Sequence, residues 1–366
     1  MSYVRAEAPF VVGALTSVAF LTIGQSWVGD LSQPLWASVL FLWLFAVMLW
    51  CSFGVVRHAD SLAILLGEPL GTLILTVAVI TIEVVMISAV MLTGESNPAL
   101  ARDTMFAVIM VVLNGMAGLS LLVGGLKHRE PEFNLQGANA YLGILIPIAV
   151  LTLVVPSYTR SAPGGIPGTV LAVFLIIVCL LLYLVFLGIQ TMRHRHYFVQ
   201  PGSDGDEAHH DIPDHQLRSP ANHGGALVLT MIPIVLLSKS MAKLVDHGVQ
   251  EAGLPVALGG LLVAVLVLSP EGLAALKAAR ANQLQRSVNI SMGSALATIA
   301  LTAPCVLVIG MVTGRDVELG LEPLDVILLV LTLATMVVNA SSRRTNVLQG
   351  AVHLTLFLAY MVLLFD

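Results

Sequence analysis

The sequence predicts an all-α polytopic membrane protein of about eleven transmembrane helices. They are expected as an inverted repeat of five plus five, with one extra helix at the N-terminus. Three observations carry this reading. Of 366 residues, 57% are hydrophobic and 11% charged, where a soluble domain carries roughly 25% charged residues. The mean hydropathy is +0.92. Apolar runs recur along the chain, and two of them, at matching places in the two halves, each enclose a single glutamate, Glu83 and Glu271.

A helix needs about 20 apolar residues to span the hydrocarbon. The expected spans are 10–27, 35–56, 71–92, 104–126, 141–155, 167–190, 226–245, 254–276, 288–312, 324–338 and 348–365. Each must be helical, because hydrocarbon offers no partner to an unpaired backbone group. Residues 1–33 hold the extra helix, with no signal-cleavage pattern, and 34–192 the first repeat. A polar linker follows at 193–223, and 224–366 is the second repeat.

The Lys and Arg residues set the orientation. Loops sorted alternately put all but Arg102, Arg160, Lys239, Lys243 and Arg315 on the side of the N-terminus. The positive-inside bias then places the N-terminus in the cytoplasm and the C-terminus outside. An odd number of helices fits this skew. Helices three and eight therefore cross in opposite directions, which is what makes the repeats inverted.

The linker is rich in charge and histidine, in RHRHYFVQ, GSDGDEAHHDIPDH and QLRSPANH. It reads as a solvated connection between the halves, or as a cytosolic cation or pH sensor. Cys51, Cys179 and Cys305 lie in apolar runs and read as small packing residues without disulfides. The net charge of −5 sits mostly in loops and gives no surface for nucleic acid.

The chemistry is expected at the two glutamates. A carboxylate at the bilayer centre costs about 2.5–3.5 kcal/mol even on insertion scales. Inverted repeats in transporters meet at a midplane site built from interrupted helices. Pro270 removes a backbone donor and disfavours helix at Ser269, which predicts a break with free carbonyls near Leu266 and Val267. Around Glu83, Thr76 and Thr81 offer hydroxyls, although such groups commonly bond back to their own helix. In helix nine, Ser294 and Thr298 are candidate supporting ligands, while Gly293 reads as a close-approach position. Asn114 in helix four is open to a helix–helix hydrogen bond or a ligand role. Glu68 reads as a mouth or gating residue against a plain helix-terminal charge. Asn346 and Gln349 open the last helix as further gating candidates, and His353 behind them reads as a packing histidine.

At these residues the chain resembles the CAX branch of the calcium/cation antiporter superfamily, and within it the bacterial ChaA-type antiporters. The first repeat of that branch carries G-E-x-L-G-G-L-L-N-A-T-F-G-N-x-x-E. Gly67 to Glu83 fits that register without a gap, and Gly293-Ser294 fits the Gly-Ser of the second repeat. The resemblance implies eleven helices, with a discontinuous helix at each glutamate. It implies a multi-pass protein of the bacterial inner membrane, with a periplasmic C-terminus. Glu83 and Glu271 would be the family's two essential acids and would hold the transported metal ion. Where family members carry Asn or Gly this chain has Leu75, Val79, Ile80, Val267 and Leu268, and Gly272 replaces a common His. A calcium cage needs about 6–8 oxygens, so fewer side-chain amides suit a less specialised site.

The expected activity is secondary active antiport, exporting Ca2+, and Na+ or K+, against H+. The alternative is a Na+ or K+/H+ antiporter with little Ca2+ activity. Two protons, one Ca2+ or two monovalent ions neutralise the pair, and burial with mutual repulsion favours reprotonation when the cation leaves. No cofactor is expected, and the partners are lipid, inorganic cations and protons. Self-association stays open. An intramembrane enzyme would need a nucleophile, metal or Asp pair, and HExxH, GxGD and DDxxD are absent from the sequence. A channel would conduct without coupling.

Overall fold

The computed structural model describes residues 7–66, 70–93, 98–160, 164–201, 219–255 and 257–365. The regular elements among them are helices, plus an isolated antiparallel bridge between Glu132 and Arg344. Besides short helices at Gly24–Trp27 and Arg195–Phe198 they are, in chain order, α1 (Ala8–Thr22), α2 (Pro34–Leu66), α3 (Leu70–Thr93), α4 (Leu100–His128), α5 (Leu135–Tyr158) and α6 (Thr169–Arg193). Then come α7 (Pro220–Glu251), α8 (Ala257–Arg280), α9 (Leu284–Thr313), α10 (Pro323–Asn339) and α11 (Val347–Leu363). Among the described residues seven of these, α2 and α4 to α9, are long and apolar enough to cross a membrane. Shorter apolar helices lie at Ala8–Thr22, Val77–Ser88, Pro323–Asn339 and Val347–Leu363.

Local chemistry starts and stops these helices. Asn134 caps α5 by accepting from Gln136 N, and Ser219 caps α7, whose first residue is Pro220. Proline suits that position because its missing N–H would have had no helical partner. Gly314, at φ +68°, ends α9 in a left-handed turn. Helices α5 and α9 each widen into a π-helical turn, at Val150–Val154 and Thr298–Thr302. In both, a proline follows within two residues (Pro156 and Pro304). A proline ring clashes with the carbonyl four residues back, and a wider turn relieves that clash.

Two expected boundaries are corrected. Helix α2 does not end at 56 but runs to Leu66, so Arg57, His58 and Asp60 are helical. Charge is tolerated there because the polar groups are partnered: His58 Nδ1 lies 3.2 Å from His223 Nδ1, and His58 Nε2 lies 3.4 Å from Glu7. His223 was expected in the solvated linker, yet it is buried inside α7. His209, His210 and His215 lie outside the described residues.

The expected break at Pro270 is also absent. Helix α8 runs through Pro270 from Ala257 to Arg280. A proline removes only its own N–H, and the Ser269 hydroxyl donates to the neighbouring carbonyl of Val265. Helix α3 likewise runs through Glu83. The discontinuous helices implied by the family resemblance are therefore not seen at either glutamate.

Packing divides the chain into two compact units that interleave the two halves of the sequence. Unit 1 comprises Met1–Asn97 and His210–Pro270; unit 2 comprises Pro98–His209 and Glu271–Asp366. In unit 1, Leu40, Leu44, Met48, Cys51 and Val55 form a buried stripe on α2 at helical spacing. It packs with Ile234, Leu237, Met241 and Leu244 of α7 and with Val79, Ile82 and Met86 of α3. Gly13 lets α1 approach closely: a Cβ there would lie 2.6 Å from Cys51 Sγ and 2.9 Å from Pro233 Cβ.

In unit 2, α4 and α11 meet backbone to backbone. A Cβ on Gly350 would lie 2.4 Å from Leu122 N, and one on Gly118 2.9 Å from His353 Cβ. Without a hydrophobic drive between helices in lipid, such close packing supplies the association energy. Tyr141 stacks near Phe186 and Phe198, with ring centroids 4.8 and 5.4 Å away. The three cysteines are free; Cys51 and Cys179 are buried, while Cys305 faces outward from α9. Val170, Leu348 and Val312 also face outward as exposed apolar side chains, as lipid contact requires.

Candidate functional site

Glu271 follows Pro270 in α8 and is the first residue of that helix to belong to unit 2. It is only 5% exposed. Ser294 of α9, itself buried, donates its hydroxyl to Glu271 Oε2 at 2.8 Å. This contact fixes one of the two carboxyl oxygens against α9. Gly272 lies against Met116: a Cβ there would be 3.3 Å from Met116 Cγ. Met116 closes a π-helical turn of α4, Met110–Met116, which also carries Asn114.

Glu83 belongs to unit 1. It is 1% exposed, on a face of α3 with Ile82, Met86 and Ile87 around it in sequence. Both predicted acids are thus buried in helices rich in apolar residues. Among the described residues, no three His, Cys, Asp or Glu side chains gather as a resident metal would require.

The supporting residues fare differently. Thr81 is exposed and donates to Val77 O at 2.6 Å, so its hydroxyl is taken up by its own helix. Ser269 is taken up in the same way. Val267 is buried in the apolar core of unit 1, in unbroken helix. Thr298 is buried in the π-helical turn of α9. Asn346 and Gln349 form a capping box at the start of α11, a local role that accounts for both. Gly293 is not a tight contact, since a Cβ there would meet the Tyr141 hydroxyl at 3.5 Å, ordinary van der Waals distance. The side chain of Thr76 and all of Glu68 lie outside the described residues.

Asn114 has a definite place. Its Nδ2 donates to Thr332 Oγ1 at 2.8 Å, and its Oδ1 accepts from His353 Nδ1 at 2.9 Å. The other ring nitrogen, His353 Nε2, accepts from Asn339 Nδ2 at 2.7 Å. The chain Asn339–His353–Asn114–Thr332 therefore donates in one direction throughout, with a neutral imidazole bearing its hydrogen on Nδ1. All four residues are buried. Sequence reading flagged Asn114 and His353 but not Asn339 or Thr332.

A second group escaped the sequence reading. Arg102, at the start of α4, is buried and pairs with Asp103 at 2.8 Å, with Glu318, and with Gly320 O. Glu322 lies 3.9 Å away. Burial outweighs the Arg102 guanidinium and holds the Glu318 carboxyl above its ordinary range. No local signal marks this group, because Arg102 and Asp103 lie far in sequence from Glu318, Gly320 and Glu322.

Known proteins place this architecture. The sequence profile of the family described as sodium/calcium exchanger protein matches residues 36–192 and 223–365. The chain is 40% identical over 317 residues to the sodium-potassium/proton antiporter ChaA of Escherichia coli K12, across 86% of this chain and 85% of that one. It is 42% identical over 326 residues to the putative ionic transporter y4hA of Sinorhizobium fredii, across 89% and 88%. The structure of native YfkE superposes with a TM-score of 0.74 at 20% identity, over 97% of this chain and 99% of that one. That of the H+/Ca2+ exchanger CAX does so with a TM-score of 0.68 at 13% identity, over 96% and 89%. Profile and relatives agree across both halves of the sequence, and this chain belongs to the sodium/calcium exchanger protein family.

Proposed function

We propose that the protein is a secondary active cation/proton antiporter of the bacterial inner membrane, exporting Ca2+, and Na+ or K+, in exchange for H+. The observation that carries this is Glu271, buried within an apolar helix and held by the Ser294 hydroxyl. Glu83, buried in the other unit, is its counterpart. The antiporter names of relatives such as ChaA of Escherichia coli support the same reading.

In this reading the two carboxylates bind protons or cation in turn. Two protons, one Ca2+ or two monovalent ions neutralise them. The doubly ionised state is the costly one, since burial disfavours charge without a partner. If only neutralised states change access, exchange is obligatory and the proton gradient drives export. Ser294 stabilises the ionised carboxylate that receives the cation. The eleven helices would cross in alternate directions, with five-helix inverted repeats after α1 and the N-terminus inside. The seven long and four shorter apolar helices support that arrangement.

Cation-induced proton movement in everted membrane vesicles tests the proposal. Glu83→Gln and Glu271→Gln are each expected to abolish it. Exchange at the unaltered rate in either variant sinks the reading. A protein that releases a proton gradient without any cation would be a channel instead. Parallel titrations with Ca2+, Na+ and K+ separate the calcium exporter from its alternative, a monovalent cation/proton antiporter.

A further inference from the structure

Unit 2 holds a partly open cavity of ≈ 30 Å3 between α4, α9 and α10. Its lining includes Ser120, Ser287, Ser291, Asn339 and Thr345, with Phe133 beside them. Three of these hydroxyls, Ser120 Oγ, Ser291 Oγ and Thr345 Oγ1, are buried and have no hydrogen-bond partner. Their residues are at most 2% exposed. They come from α4, from α9 and from the segment before α11, so they converge from three directions. A buried hydroxyl without a partner is unfavourable, and native structures rarely leave one so. A water occupies about 10–15 Å3 by this measure and needs two to four polar partners. The cavity therefore suits one or two waters, and the hydroxyls supply the partners.

The position of the cavity gives it a role. Ser287, Ser291 and Ser294 are spaced by four and then three residues, which puts them on one face of α9. All three are buried, and the last of them donates to Glu271. At the other end, Thr345 N bonds Pro131 O and Phe133 N bonds Arg343 O. These segments carry Arg343 and Arg344, the basic end that the positive-inside bias assigns to the cytoplasm. Ser287 and Ser291 line the cavity, and Ser294 follows on the same face of α9 within one turn, so this face leads from the cavity toward the carboxylate. Among the described residues no carboxylate lines the cavity, and Ca2+ takes about 6–8 oxygen ligands. Hydroxyls alone suit protons better than they suit Ca2+.

We infer that this hydroxyl-lined cavity is hydrated and carries protons between the cytoplasmic end of unit 2 and Glu271, apart from the cation's own way. The inference rests on Glu271 being an exchange carboxylate. In each transfer a hydronium gives a proton to Ser294 Oγ while the Ser294 hydroxyl hydrogen passes to Glu271 Oε2. The hydronium becomes water, the carboxylate becomes the acid, and the serine is unchanged. Reversal returns the proton.

The test uses the full chain in proteoliposomes, with Ser291→Ala alone and Ser120→Ala/Thr345→Val together. Two modes are measured: cation/proton exchange with a pH dye, and self-exchange of labelled Ca2+ or Na+ without a proton gradient. Removing a link should slow cation/proton exchange about tenfold, the equivalent of one hydrogen bond, and leave self-exchange unchanged. Cation/proton exchange at the wild-type rate in both variants, or an equal fall in both modes, overturns the inference. Glu271→Gln runs alongside: if it keeps both modes, the reading of Glu271 fails, whatever the serine variants do. Thermal unfolding gives a separate check. A dry cavity means that Ser291→Ala removes an unpaired group and raises Tm, which overturns the inference. A hydrated one means that Tm falls.

Discussion

Ser294 donates its hydroxyl hydrogen to Oε2 of Glu271 at 2.8 Å, across the contact of α9 with α8. The hydroxyl fixes one oxygen of that carboxyl group. Ser294→Ala removes a hydrogen bond to a charged acceptor, worth about 1.5–3 kcal/mol. Protons then compete better than before, so half-maximal exchange moves to higher pH by about one to two units. The cation concentration for half-saturation rises at fixed pH. Initial rates against pH and cation check both, and an unmoved pH profile rules the contact out as a determinant.

Gly350 has backbone packed against the place where its Cβ would be, at 2.4 Å from Leu122 N. Gly350→Ala therefore forces α11 away from α4 and costs about 1–3 kcal/mol or more. Gly293→Ala meets only ordinary contact at Tyr141 and should change stability by less than about 0.5 kcal/mol. Unfolding in detergent separates the two. Equal effects would mean that the α4–α11 contact is looser than described.

Asn114 joins Thr332 to His353 through its two amide atoms. Asn114→Leu leaves the His353 Nδ1–H without its acceptor, at a cost of about 1–3 kcal/mol. A double-mutant cycle with Thr332→Val should give a coupling of about 0.5–3 kcal/mol. Additive losses would mean that the one-directional chain does not act as a unit.

Arg102 is buried among Asp103, Glu318 and, at 3.9 Å, Glu322. Arg102→Met leaves the partly buried carboxylates of Asp103 and Glu318 without their cation and should cost about 1–3 kcal/mol. Glu318 already sits above its ordinary range because burial outweighs the arginine. Its folded value is raised, so its contribution favours the fold below the unfolded value and fades as pH rises. Losing Arg102 deepens that bias. The deficit of the variant should therefore shrink as pH falls and the carboxylates take up protons. Tm of both proteins across acid to neutral pH measures it.

The helices were legible because hydropathy alone specifies them: an apolar run in lipid has no alternative to a helix. Their ends were less so. Helix α2 continues past 56 because His58 finds His223 and Glu7, partners that no local pattern reveals. Pro270 was read as a break, yet α8 absorbs it. The π-helical turns before Pro156 and Pro304 are where the backbone widened instead.

The site divides along the same line. Glu83 and Glu271 stood out because a lone carboxylate in an apolar run is costly wherever it packs. Thr81, Asn346 and Gln349 were plausible as polar groups near the site. They proved to be satisfied by their own helix or cap, an outcome set by side-chain direction and not by spacing. Ser294 and Thr298 are legible in the sequence, and the same helical period extends that stripe back to Ser291 and Ser287.

By itself the sequence determined a membrane protein of apolar helices with two buried acids, since both follow from the cost of moving polar groups into hydrocarbon. It also carried the family, through the register from Gly67 to Glu83. Only the tertiary structure decided which groups meet. It set Ser294 on Glu271, joined Asn339 to Thr332 through His353, drew carboxylates around Arg102, and closed a cavity under three unpaired hydroxyls. Those pairings join residues far apart in the chain, and their energies exist only once packing has excluded water and brought the partners within hydrogen-bonding reach.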